Sequence, residues 1–173
     1  LHEVEVGIPG AHTSAWLTLR QWDPRIRPRF LPFDAILPAL EAGALEAGLL
    51  IHESQLLYQA KGLELIVDLG QWWASEHQLP LPMGGNAIRT ALPDDVKQTF
   101  ADLMHQSVRI ARERHEESLD YAFDCGRGMD RSLVDRYVRA WVNDFTVTPG
   151  PRGERAVERL IGTIPVWRGP DMV

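Results

Sequence analysis

Cysteine and lysine are almost missing from this 173-residue chain, and each shortage excludes something. A single cysteine, Cys125, leaves no internal disulfide framework and no multi-cysteine metal site. Lys61 and Lys97 are the only lysines; the other basic residues are 16 scattered arginines, and the formal net charge is -6. Without a basic patch the chain is a poor match for a phosphate backbone, so no nucleic-acid partner is expected. No apolar run approaches the ~20 residues of a membrane span, so no membrane partner is expected. The opening LHEVEVGIPG lacks the basic start and long apolar stretch of a secretory signal. A soluble, cytoplasmic protein is the resulting expectation, although the first residue is Leu rather than Met. GxGxxG and Walker patterns are also missing, so nucleotide binding is not indicated. What is present suffices for a packed core: 45% of residues are hydrophobic and 24% charged, close to the globular average.

Short strands alternate with short helices in the first half. Residues 3–8 alternate like a strand and end at Pro9-Gly10. Thr13 or Ser14 then caps a helix with Ala15, Trp16, Leu19 and Trp22 at helical spacing. A strand at 27–31 leads to a helix at 34–42 carrying Ile36, Leu37 and Leu40, with Pro38 near its first turn and Gly43 ending it. Strands are also expected at 46–51 and 63–68, with a helical turn or two after Gly70. This pattern predicts an α/β fold with a substantially parallel sheet. The Pro- and Gly-marked stretch 79–90 reads as a crossing between lobes. Beyond Asp94 the chain turns helical. One apolar face runs through Val96, Phe100, Leu103, Met104, Ser107, Ile110 and Ala111, and a second through Val134, Tyr137, Val138, Trp141 and Phe145. A break at 149–153, a short helix at 154–161 and an irregular tail complete the reading.

Two places can carry chemistry. A strand that feeds Pro9-Gly10 and a Thr/Ser helix start leaves several backbone N–H groups unpaired at the positive end of a helix dipole. Thr13, Ser14 and Ala15 can therefore hold a phosphate or carboxylate without any lysine; the plainer reading is an ordinary N-cap. The second is Leu49-Leu50-Ile51-His52-Glu53-Ser54. A histidine directly after an apolar strand stands at the carboxyl edge of a sheet, where α/β proteins collect ligands. Imidazole exchanges protons near neutral pH, which suits a general base. Glu53 and Ser54 stand beside it to orient it or bind substrate; the plainer reading is a His that caps the next segment. No second His lies at a metal-ligand offset.

Other features favour plain roles. Trp72-Trp73 can wall a pocket but more often closes a core. Met83-Gly84-Gly85 permits close approach to a ligand or a hinge turn. Cys125 reads as a structural thiol in a packed helical region, and His105 and His115 as residues of a solvated helix face. Asn143 is read as bonding across to another segment.

Taken together, VGIPGAHTSAWLTL, FLPFDAILPAL, EAGALEAGLLIHES, VDLGQWWASEHQLPLPMGG, YVRAWVNDF and GERAVERL resemble the 1,4-dihydroxy-6-naphthoate synthases of the futalosine route to menaquinone. The resemblance runs through nearly the whole chain in one order. It implies a two-lobed α/β fold of the type 2 periplasmic-binding-protein-like kind. It implies a lyase that converts cyclic dehypoxanthinyl futalosine into 1,4-dihydroxy-6-naphthoate and dihydroxyacetone. His52 corresponds to the family's base, and Thr13 and Ser14, with Ala15 adjacent, to its substrate-binding helix start. No metal or organic cofactor is implied, and the partner is a small carboxylated aromatic. Family members are longer upstream, where they carry a Ser-Pro-Cys-Pro-Asn-Asp type motif and a Lys-Leu-Ser type stretch not found here. The expectation is that residues 1–84 form the second lobe. Residues 85–173 would then be the crossing segment and C-terminal helices of a first lobe whose N-terminal part is absent from this chain. An uncovered apolar face would follow, with self-association through 94–161. Chorismate dehydratase of the same pathway, and a non-enzymatic solute-binding lobe, are the competing readings.

Overall fold

The computed structural model describes residues 1–125 and 129–162 as two compact units, Leu1–Gly84 and the chain from Gly85 onward. The tail expected to be irregular, from 163 on, lies outside the described residues.

The first unit is built on a small parallel sheet. Strands β1 (Glu5–Ile8), β2 (Arg27–Phe30) and β3 (Ala47–Gly48) lie in the order β2-β1-β3. β1 is central: Glu5 pairs with Arg27 and Ile8 with Phe30 on one side, Val6 with Ala47 and Gly7 with Gly48 on the other. The position explains its sequence, since Val6, Gly7 and Ile8 are all buried. β2 (RPRF) is an exposed edge strand, which tolerates the missing N–H of Pro28.

Side chains alternate across β1. Val6 and Ile8 join Trp16 and Leu19 of helix α1 (Ser14–Trp22), together with Ile26 and Ala47, in one core cluster. Gly7 faces the other way, toward helix α2 (Phe33–Glu41). A Cβ on Gly7 would meet Leu45 Cδ1 at 2.6 Å, and one on Gly48 would meet Ile36 Cγ2 at 2.7 Å. The missing methyls let Ile36, which is fully buried, sit directly on the sheet.

Helix α3 (Ser54–Leu57) is followed by a 3-10 turn at Gln59–Lys61 and by α4 (Leu69–His77), which packs near α1. Asp68 caps α4 by accepting the Gln71 N–H at 2.9 Å. Trp73 is wholly buried, and its indole N–H donates to the Pro80 carbonyl at 3.0 Å. It closes the core.

Three expectations for this unit are corrected. The strand expected at 46–51 pairs only over Ala47–Gly48, with one further bond from the Leu49 N–H to the Gly7 carbonyl at 2.8 Å. Residues 63–68 form no strand, and Leu65 and Ile66 are exposed. β-branched composition gives strand propensity, but propensity alone does not supply a pairing partner. Pro38 lies in the interior of α2 rather than in its first turn, because the helix begins at Phe33.

The second unit is helical: α5 (Asp94–Glu113), α6 (His115–Asp124), α7 (Arg131–Trp141), α8 (Asp144–Val147) and α9 (Gly150–Ile161). Asp130 caps α7 through the Leu133 N–H at 2.8 Å. Asn143 bonds locally rather than to a distant segment. Its Oδ1 accepts from the Phe145 N–H at 3.0 Å while Thr146 Oγ1 accepts from the Asn143 N–H at 3.2 Å, the reciprocal pair that starts α8. α9 starts at Gly150, earlier than expected, because Pro151 is compatible with a first helical turn.

His115 is not on one helix face with His105. The chain breaks at Arg114, and His115 opens α6 half-buried, with Nε2 2.6 Å from Asp135 Oδ1 of α7. Arg139 donates to the same carboxylate at 2.9 Å and, with His115, holds it below the usual carboxylate range. Cys125 is exposed at the end of α6 rather than packed. Within the second apolar stripe, Val134 is buried while Tyr137 and Trp141 pack ring to ring at 5.6 Å. The first stripe faces outward: Val96, Phe100, Leu103 and Ile110 are 43–59% exposed, and an open groove runs past Asp95, Val96, Thr99, Phe100 and Leu103. Among the described residues no helix is long and apolar enough to cross a membrane.

Asp23 terminates α1 and ties down the turn into β2. Its carboxylate accepts from the Arg25 guanidinium and backbone N–H, each at 3.0 Å, and is paired with His2. The Arg25 side chain, then His2, hold this carboxyl far below the usual carboxylate range. A depressed carboxyl stabilises the fold at pH values above its unfolded pKa of about 3.9, and that contribution drains away as the pH falls toward the folded value.

Gly48→Ala should lower stability by about 1–3 kcal/mol through overpacking against Ile36. Gly84→Ala, where a Cβ meets nothing within 4 Å, should leave it within about 0.5 kcal/mol; urea midpoints compare the two. Asp23→Asn should lower Tm at pH 7, and the gap to the parent should close as the pH drops below about 4. A gap that stays constant down to strongly acid pH would show that the Asp23 charge contributes nothing.

Candidate functional site

The strand order creates the site. From β1 the chain goes out through α1 to β2 on one side, then back through α2 to β3 on the other. The connections leaving β1 and β3 therefore diverge at the carboxyl edge, which makes it a topological switch point. Such switch points are where open parallel sheets hold ligands. Three loops leave the strands at this edge: the one ending in Thr13 and Ser14, the one ending in Phe33, and the one carrying His52.

Thr13 is the N-cap of α1. Its hydroxyl accepts the Trp16 N–H at 3.1 Å and donates to the Gly10 carbonyl at 3.0 Å. Ser14 Oγ donates to the Met83 carbonyl at 2.8 Å, tying the helix start to the segment before Gly84. Ser14 is therefore the first helical residue and not the cap. Both hydroxyl protons are engaged within the protein. The Ser14 and Ala15 N–H groups have no protein acceptor among the described residues, so they are the donors directly available to an anion at the positive helix end.

His52 lies four residues beyond β3 rather than directly after it, because pairing stops at Gly48. It is exposed, and its backbone is left-handed, with φ 54°. For a residue with a Cβ that conformation is uncommon and costs energy. Its ring meets Phe33 at 4.7 Å between centroids with planes inclined by 63°. Its carbonyl accepts from Gln55 Nε2 at 2.7 Å. Ser54, next to Glu53, is buried at the start of the short α3.

The structure thus brings His52, Thr13, Ser14 and Ala15 to one edge of one sheet. Phe33 and Gln55 escaped the sequence reading. Phe33 precedes Asp34 in what reads as a helix start, and nothing local says that it crosses to residue 52. Gln55 is three residues from His52, but a glutamine at that spacing is common on any helix. Among the described residues no three His, Cys, Asp or Glu side chains cluster as a metal ion would require.

The comparisons agree with the sequence resemblance. The chain is similar to 1,4-dihydroxy-6-naphthoate synthase of Thermus thermophilus, with 36% identity over 160 residues, which is 92% of this chain and 59% of that protein. It is similar to the Streptomyces coelicolor protein of the same name, with 32% identity over 178 residues, covering 96% of this chain and 63% of the relative. It thus spans about three fifths of the length of these curated relatives. The crystal structure of a protein from Archaeoglobus fulgidus is also similar, at 36% identity and a TM-score of 0.87, over 91% of this chain and 60% of that one. A family profile described as menaquinone biosynthesis matches residues 1–164. By sequence over that whole span, in addition to its mixed α/β fold, this chain belongs to the menaquinone-biosynthesis family.

Proposed function

We propose that this chain forms part of a 1,4-dihydroxy-6-naphthoate synthase, a cytoplasmic lyase that converts cyclic dehypoxanthinyl futalosine into 1,4-dihydroxy-6-naphthoate and dihydroxyacetone. The observation that carries the proposal is the strand order, by which the start of α1 and the His52 loop leave adjacent strands at the same carboxyl edge. An anion site and a titratable ring at one sheet edge suit a substrate with a carboxylate at one end and an acidic C–H at the other. The relatives' shared name supports the choice of reaction.

In this reading the carboxylate lies over the start of α1. It accepts from the Ser14 and Ala15 N–H groups and draws the Ser14 hydroxyl away from the Met83 carbonyl. Thr13 shapes the helix start and keeps its cap bond to Trp16. The helix dipole adds a favourable field that costs no reorganisation on binding. His52 removes a proton beside an electron-withdrawing group, and formation of the aromatic ring drives cleavage forward. The chemistry calls for no metal or organic cofactor.

Residues 1–84 form the second lobe of a type 2 periplasmic-binding-protein-like fold in this proposal. The segment from 85 on supplies the crossing and the C-terminal helices of the first lobe. The unmatched two fifths of the relatives then contribute what covers the exposed face of α5, through Phe100 and Leu103.

Three outcomes are expected. In the complete enzyme, His52→Ala should lower kcat by at least ~10²-fold with a smaller change in KM; near-normal turnover would remove His52 from the chemistry. Ser14→Ala should weaken binding of the carboxylated product by about 1.5–3 kcal/mol with little change in Tm. Thr13→Ala should mainly lower stability, by about 1 kcal/mol, as a lost helix cap. Titration calorimetry and melting curves separate the two hydroxyls, and equal affinity in all three proteins would show that neither hydroxyl holds the anion. Sedimentation velocity of the 173-residue chain should show concentration-dependent association that Phe100→Glu with Leu103→Glu suppresses; a monomer at every concentration would contradict the role given to that face.

A further inference from the structure

An exposed histidine on a loop is a poor base unless something fixes its ring. A base that takes one proton from one carbon must present one nitrogen along one line. Left free, the imidazole would turn about both side-chain torsions and lose that alignment for most of the time. Among the contacts of His52, one to its backbone and one to its ring restrict it, and neither belongs to the helix start that holds the substrate anion in the proposed function.

The first acts on the backbone. At φ 54° the Cα–Cβ bond of His52 leaves the chain in a direction that an extended residue would not give. Gln55 Nε2 donates to the His52 carbonyl at 2.7 Å and closes a three-residue loop over the start of α3. That bond holds the peptide that follows His52, and with it the left-handed turn.

The second acts on the ring. Phe33 meets the imidazole edge to face, 4.7 Å between centroids. A phenyl group at that distance blocks one side of the rotation about Cβ–Cγ. Phe33 is itself anchored. It is the first residue of α2, and one turn on Ile36 and Leu37 are buried, Ile36 in the space left by Gly7 and Gly48. The helix that carries Phe33 is thus seated on the sheet, while His52 is held by its loop and by the Phe33 ring.

We propose that Phe33 and Gln55 are positioning residues for His52: Gln55 keeps the left-handed turn that aims the side chain, and Phe33 fixes the plane of the imidazole. The proposal rests on the reading of His52 as the base. It concerns residues from two elements, 19 and 3 positions away from His52 in the chain.

The test uses the complete enzyme containing this sequence, assayed for naphthoate formation. Phe33→Leu and Gln55→Met should each lower kcat by roughly 10- to 100-fold, the size expected when a reacting group is misaligned, with KM changed by less than about twofold. Phe33→Tyr keeps the ring and should restore kcat. In the unliganded protein, the His52 ring-proton resonances should carry a ring-current shift that persists in Phe33→Tyr and vanishes in Phe33→Leu. This readout needs only a folded chain. Full kcat in both Phe33→Leu and Gln55→Met, with His52→Ala inactive, would overturn the positioning role and leave the base in place. A rise in KM at constant kcat would also overturn it, by making Phe33 part of the substrate wall. Near-normal turnover in His52→Ala would remove the base and the positioning role together.

Discussion

The close seat of α2 on the sheet is the constraint from which the carboxyl edge takes its geometry. Two glycines on neighbouring strands, Gly7 and Gly48, pair with each other and leave the space that Ile36 fills. Any Cβ at either position would collide with a buried aliphatic group, so the helix would have to lift or tilt. The first turn of α2 carries Phe33, and Phe33 touches His52. A packing detail in the core is thereby passed to a ring on the surface. Loops alone hold side chains loosely; here the loop is braced by an element that the sheet makes rigid.

The helix start opposite behaves differently. Thr13 and Ser14 look equivalent as two adjacent hydroxyls, yet the fold gives them separate work. Thr13 closes the first turn by accepting from Trp16, whose ring is a core member. Ser14 reaches 69 residues along the chain to the Met83 carbonyl. A hydroxyl has one proton to give, so what each can offer a ligand depends on which bond is easier to exchange. Ser14 is bound to an exposed loop carbonyl, and Thr13 is locked into its own turn.

The helical unit shows what amphipathic patterning can and cannot do. Twenty residues of α5 have a clear apolar stripe, yet in this chain only Lys97 on that helix is buried, beside Asp94 at 2.6 Å. Periodicity identifies a face that wants cover; it does not supply the cover. By contrast α6 and α7 are joined by charge, with Arg131 bonded to Glu116 at 2.9 Å and to Asp120, and His115 to Asp135. Those partners are 11 to 20 residues apart and belong to different helices, so reading along one helix misses them.

The sequence by itself determined the elements whose signals are local. Thr13 or Ser14 before an apolar helical run marked the start of α1, the alternation at 3–8 marked a strand that forms over Glu5–Ile8, and the order of short strands and helices specified a parallel α/β unit. The motif around His52 and the run from Thr13 could be singled out as candidates, because their residue types and spacing lie within a few positions. The tertiary structure decided the rest, since pairing is a matter of available partners. β3 shrank to two residues because hydrogen bonding to β1 ends at Leu49, and 63–68 made no strand although its composition favours one. The contact from Phe33 to His52 depends on where three strands lie side by side, and no pattern along the chain encodes a distance across a sheet. Local chemistry is written in neighbouring residues; convergence of separate loops is fixed only when packing and strand order are complete.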